Sequence, residues 1–91
     1  MPRVRIKLLG IIADEMGIDE LIIDAKNLLE LLNKLRVSLP KAEKIFEDNN
    51  LRSFIGIVLN NTHINSKDKD FTTIELKDND VVELIPLASG G

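Results

Sequence analysis

The sequence predicts an α+β domain in which a mixed sheet of four to five strands carries one main helix on one face. Three observations support this. Arg3-Val4-Arg5-Ile6-Lys7-Leu8 alternates charged and apolar residues, the period of a half-buried strand. Leu28, Leu31, Leu32 and Leu35 recur at i, i+3, i+4 and i+7, a single apolar stripe along a helix. Three further strand-like runs follow, so the order β-β-α-β-β-β leaves one helix to cover one sheet face.

Taken in order, the first strand places Val4, Ile6 and Leu8 toward a core and Arg3, Arg5 and Lys7 outward. Gly10 breaks it, and Ile11 to Met16 fits one short helical turn before Gly17. Leu21-Ile22-Ile23 reads as the hairpin partner of the first strand. Asn27 is a good N-cap, and Glu30 three residues later completes a pattern like a capping box. Pro40 punctuates the helix, because the residue before a proline avoids helical angles. Lys41 to Glu47 is expected as a second short helical segment, with Ala42, Ile45 and Phe46 apolar. Phe54 to Leu59 is a strand, Asn60-Asn61 a type I′ turn whose residues tolerate positive φ, and Thr62 to Asn65 the return arm. Ser66 to Asp70 is a polar loop and Lys77 to Asp80 a tight turn. Val81 to Ile85 is the last strand, with Val82 and Leu84 inward and Val81, Glu83 and Ile85 outward. Pro86 ends it. The expected organisation is one domain, residues 1–85, followed by a tail, residues 86–91.

Composition closes off several function classes. The net charge of −3 repels phosphate, and no Trp or Tyr is present to stack on bases, which argues against nucleic-acid binding. With no cysteine there is no disulfide, thiolate zinc site or cysteine nucleophile. No apolar run approaches the roughly eighteen residues of a membrane span, and the charged opening does not resemble a signal peptide. A cytoplasmic protein is the expectation. His63 lies on a hairpin arm, where the ordinary reading is a solvent-facing strand residue. Gly10, Gly17 and Gly56 are isolated and match no phosphate-binding loop. Asp14-Glu15 and Asp68-Lys69-Asp70 read as solvated loop charges, and no ligand spacing supports a metal site.

The end of the chain remains. Two terminal glycines arise by chance in about 0.5% of sequences at average usage, so the pair is weak alone. Its context is a strand, a proline stop and four small or aliphatic residues. Lacking Cβ, glycine also lets backbone enter a narrow partner pocket.

Val82-Glu83-Leu84-Ile85-Pro86-Leu87-Ala88-Ser89-Gly90-Gly91 resembles the ending of the MoaD/ThiS-type ubiquitin-like sulfur carriers. Leu76-Lys77-Asp78-Asn79-Asp80, Val58-Leu59-Asn60, the leucine-rich helix and Val4-Arg5-Ile6-Lys7-Leu8-Leu9-Gly10 extend the likeness over essentially the whole chain. Length and the second helical segment favour the MoaD branch, the small subunit of molybdopterin synthase. Leu87 stands where the family often has a second proline, Asn79 where it has glycine, and Ala13 where it has arginine.

The resemblance implies a β-grasp fold with the first and last strands adjacent and Arg3, Arg5 and Lys7 near Glu83. It implies that Gly91 is the reacting residue, adenylated and then converted to a thiocarboxylate, with Gly90, Ser89, Ala88 and Leu87 docking the tail. No cofactor belongs to this chain. ATP and magnesium are used by a ubiquitin-activating-type partner similar to MoeB. Further implied partners are a sulfur donor and a large synthase subunit similar to MoaE, giving a role in molybdenum cofactor biosynthesis. Ile85, Val81, Leu9, Phe54 and Val58 are the expected partner interface on the sheet face without the helix. Alternative readings are a ubiquitin-like modifier joined to lysines, or a carrier for tRNA thiolation or thiamine synthesis.

Overall fold

The computed structural model describes residues 1–65 and 70–87. Strand β1, Arg3–Leu8, is followed by a short helix α1, Ile11–Met16, and strand β2, Glu20–Asp24. Helix α2 spans Leu28–Ser38. Two two-residue strands come next, β3 at Phe46–Glu47 and β4 at Asn50–Leu51. Then come β5, Ile55–Leu59, β6, Thr62–Ile64, and β7, Val81–Pro86. The main sheet has five strands in the order β2-β1-β7-β5-β6. Strand β1 is antiparallel to β2 and parallel to β7, and β7 is antiparallel to β5. This is the expected mixed sheet with a helix on one face.

Alternation decides which side chains meet the helix. Val4, Ile6, Leu8, Ile23, Ile55, Ile57, Val82 and Leu84 are buried, and so are Leu28, Leu31, Leu32 and Leu35 of α2. They form one aliphatic cluster, completed by residues such as Ile12, Leu39, Ile45 and Phe46. No polar or charged side chain is buried among the described residues. The N-terminus of α2 is capped as the sequence suggests: Asn27 Oδ1 accepts from the Glu30 N–H at 2.8 Å. Glu30 Oε1 in turn accepts from the Lys26 N–H at 2.7 Å, one residue earlier than a strict capping box requires.

Two expectations are corrected. Residues 41–47 are not a second helix; only Ala42–Lys44 makes a 3-10 turn. Pairing of Phe46 with Leu51 turns the rest into a small hairpin, with Asp48 at a φ of 57°. The apolar residues Ile45 and Phe46 reach the core from that hairpin rather than from a helical face. Nor do all three β1 bases lie by Glu83. Lys7 is its register partner, whereas Arg3 Nε lies 3.6 Å from Asp24 and Arg5 Nε 3.3 Å from Glu20. The edge strand β2 carries acidic residues on the same face and takes up these charges.

One end of the sheet is closed by polar turns. Asn60 and Asn61 have φ of 48° and 71°, as a type I′ turn requires, and Asn79 has 71°. Asn60 Nδ2 donates to Asp80 at 2.8 Å, its Oδ1 accepts from the Val81 N–H at 2.8 Å, and Asp78 accepts from the Arg3 N–H at 2.8 Å. The other end is apolar, and there the chain leaves the sheet.

Candidate functional site at the apolar end of the sheet

Strand β7 is flanked on both sides, so the last described residues are held by two neighbours. The Leu9 N–H donates to the Leu84 carbonyl at 3.1 Å and the Leu87 N–H to the Phe54 carbonyl at 2.7 Å. Pairing with β5 thus continues through Pro86 to Leu87, and the proline is accommodated inside the strand. A proline lacks the N–H that a central strand normally offers on each side. The Leu9 carbonyl that such a donor would meet has already turned into α1, where it accepts from the Ile12 N–H at 3.2 Å.

Two glycines make room for this exit. Gly10 has φ 58° and ψ −135°, a conformation that L side chains rarely adopt. A Cβ there would also stand 3.2 Å from Pro86 Cγ. Gly56 lies in β5 opposite Ile85, and Leu87 packs over it.

The register brings the five expected interface residues onto one face. Ile85 is opposite Gly56, Val58 opposite Glu83, and Val81 opposite Arg5. Continuing the ladders by one residue sets Leu9 beside Ile85 and Phe54 beside Leu87. Leu9, Phe54 and Leu87 are 37%, 43% and 40% exposed, so the face opposite the helix ends in an open aliphatic and aromatic patch at the chain exit. Ile11, 56% exposed, extends it across α1. Arg52 braces this corner by donating from Nη2 to the Glu43 carbonyl at 2.7 Å, and Lys44 reaches Glu15 of α1 at 3.4 Å. A cleft of about 380 Å³ opens beside the patch, lined in part by Ile57, His63, Ile64, Phe71 and Leu87.

Of the expected tail residues, Leu87 is described and sits in this arrangement. Ala88, Ser89, Gly90 and Gly91 lie outside the described residues. His63 is an exposed residue of β6 opposite Val58. Among the described residues no group of three His, Asp or Glu side chains is placed to hold a metal, and no helix is long and apolar enough to cross a membrane.

Sequence reasoning gave Gly10, Ile11 and Gly56 no part in the site. The signal at Gly56 was available: a glycine inside a β-branched strand marks a bulge or a close approach. Ile11 gave none, because an apolar residue in a short helix reads as core.

The model of the ThiS family matches residues 6–91. No curated protein matches the chain in sequence. Among solved structures, small archaeal modifier protein 1 from Methanosarcina acetivorans is 27% identical, with coverage of 100% of this chain and 98% of that one and a TM-score of 0.79. Sulfolobus solfataricus Urm1 is 26% identical, with coverage of 91% and 99% and a TM-score of 0.71. A chain in the complex of subunits 1 and 2 of the molybdopterin-converting factor from Helicobacter pylori is 26% identical, with coverage of 98% and 99% and a TM-score of 0.65.

Proposed function

The chain belongs to the ThiS family, and from that premise we propose that it is a sulfur carrier whose working group is the Gly91 carboxylate. The observation that supports this most is the junction at Leu87. A central strand, held on both sides, delivers a short tail ending in Gly90-Gly91 at the edge of an open apolar patch. Exposed apolar area of this kind marks an interface. A partner can hold the domain by the patch while it works on the tail.

A carboxylate resists substitution because oxide or hydroxide must leave. In the proposed sequence a Gly91 oxygen attacks the α-phosphorus of ATP in an adenylating partner, and pyrophosphate departs. The terminal sulfur of a persulfide then attacks the acyl carbon, expelling AMP and leaving an acyl disulfide. A thiol reductant cleaves the S–S bond, which releases the thiocarboxylate. Gly90, Ser89, Ala88 and Leu87 dock the tail, and Ile85, Val81, Leu9, Phe54 and Val58 meet the partner. ATP and magnesium belong to that partner. The similarity to a chain of the molybdopterin-converting factor favours molybdopterin synthesis, with this chain as the small subunit beside a larger catalytic one. The likeness to an archaeal modifier protein favours a second reading, in which the activated glycine is joined to lysines of other proteins.

Intact mass after incubation with the adenylating enzyme, MgATP and a sulfur source separates the two. A gain of about 16 Da, oxygen replaced by sulfur through an activated acyl group, is the expected result. Lysine-linked adducts in cells without that gain support the modifier, and an unchanged mass with no such adducts overturns both.

A further inference from the structure

We infer that Gly56 is a positioning residue: by carrying no side chain it provides the seat for Leu87, and the seat fixes the point at which the chain leaves the sheet. The functional consequence rests on the carrier reading above, whereas the seat itself rests on geometry alone.

The fold gives no other reason for glycine at this position. Gly56 lies inside a regular strand and is not among the residues with positive φ, so its backbone is one that any residue adopts. Glycine in a strand interior weakens the strand, and the neighbours Ile55, Ile57 and Val58 are the residues a strand prefers. What requires glycine is space. A Cβ at residue 56 would stand 2.8 Å from Leu87 Cδ2, 3.2 Å from Leu87 Cγ and 3.3 Å from His63 Nε2. Gly56 is nevertheless buried on the face without the helix, because Leu87 and His63 cover it. The Leu87 backbone is fixed at the same point by its 2.7 Å bond to Phe54.

Position here matters far down the chain. Four residues reach at most about 14 Å beyond Leu87, so the point at which Leu87 is anchored bounds where a partner can meet the terminus. A displacement of about 1 Å at a reacting atom can cost about 100-fold in rate. A methyl group at residue 56 forces the Leu87 side chain to shift from its place over the strand, and a valine forces it further, on the face away from the helix.

The test uses the full chain and four variants: Gly56→Ala, Gly56→Val, Leu87→Ala and the double variant Gly56→Ala/Leu87→Ala. Hydrogen exchange of the residue 87 amide reads the seat, and pyrophosphate exchange with MgATP and the adenylating enzyme reads presentation of the terminus. Gly56→Val is expected to speed amide exchange at least about 10-fold and to lower kcat/KM for activation about 10-fold or more. Its melting temperature should stay level or rise, as a β-branched residue replaces glycine in a strand. In the Leu87→Ala background, adding Gly56→Ala should change kcat/KM by no more than about twofold, since the clash with Leu87 is gone. If Gly56→Val fails to fold, Gly56→Ala carries the same comparison with a smaller effect. Unchanged amide exchange in the Gly56 variants overturns the seat, and a penalty equally large in the Leu87→Ala background overturns its link to activation. A wild-type chain that no adenylating enzyme activates overturns the carrier reading, and amide exchange then decides the seat alone.

Discussion

Replacing Leu35 by Ala tests the packing of α2 on the sheet. Leu35 is fully buried on the stripe with Leu28, Leu31 and Leu32, and no polar side chain lies in that core to soften the loss. Removing its isopropyl group forfeits both the transfer free energy and the contacts around the new cavity, together about 2.7–5 kcal/mol. A domain of this length holds roughly 5–14 kcal/mol in all, so the substitution removes a large fraction of it. The melting temperature should fall by at least about 11 °C at roughly 4–8 °C per kcal/mol. With no Trp or Tyr in the chain, urea unfolding is followed by far-ultraviolet circular dichroism rather than by fluorescence. The slope with denaturant should be unchanged, because the same surface is exposed on unfolding. Val37→Ala is the matched control: Val37 is on the same helix, is 79% exposed, and should cost within about 0.5 kcal/mol. Equal losses for the two variants, or less than about 1 kcal/mol for Leu35→Ala, refute the assignment of the buried face.

Three other outcomes follow from the same structure. Deleting Gly91, or adding one residue after it, should lower adenylation by about 100-fold or more with an unchanged melting temperature; full-rate activation of an untrimmed extension contradicts the proposed chemistry. Arg5→Glu places a carboxylate beside Glu20, 3.3 Å from the present guanidinium. That pair is half exposed, so stability should shift by only about 0–1 kcal/mol, whereas affinity for the partner should drop in titration calorimetry. Thr72 donates to Asp70 from its hydroxyl at 2.6 Å and from its N–H at 2.9 Å, and these bonds hold the carboxyl below its ordinary pKa. The stability this contributes is present above the ordinary carboxylate value of about 3.9 and is lost as the pH falls through the lowered one. Thr72→Val removes the hydroxyl, so NMR titration should find the Asp70 pKa shifted upward.

The parts of this fold written in local chemistry were legible. Strand β1 alternates, α2 carries its stripe and its cap, and Asn60-Asn61 names its own turn type. The hairpin of β3 and β4 was not, because a two-residue strand has too few residues to show a period, and Ala42, Ile45 and Phe46 mimic a helical face. The pairing of Arg3 and Arg5 with Asp24 and Glu20 depends on which strand lies on the far side of β1. That is a tertiary fact, absent from either segment alone. The grouping of Ile85, Val81, Leu9, Phe54 and Val58 on one face followed from counting inward and outward residues along β7, since alternation is a local rule. Gly56 was missed because its meaning lies thirty-one residues away, at Leu87.

Strand β7 also sets a condition on any partner. It is held by β1 on one side and β5 on the other, so in the proposed function a partner meets the patch and the origin of the tail together. Docking on Leu9, Phe54 and Ile85 therefore raises the effective concentration of the terminus at whatever pocket the partner offers. The gain is lost if the tail cannot span the gap. In the proposed function, with four residues beyond Leu87 spanning at most about 14 Å, an activating enzyme and an acceptor enzyme each place a reaction centre within that distance of a surface complementary to the same patch. Two such partners cannot occupy the patch together. The carrier must leave the first before it serves the second, which requires an interface weak enough to exchange. The neighbouring charges, Lys7 and Glu83, suit such an interface better than a permanent one. Deletion of Ala88 and Ser89 separates these terms: patch affinity should be unchanged while activation falls, and equal activation at both lengths contradicts the span argument.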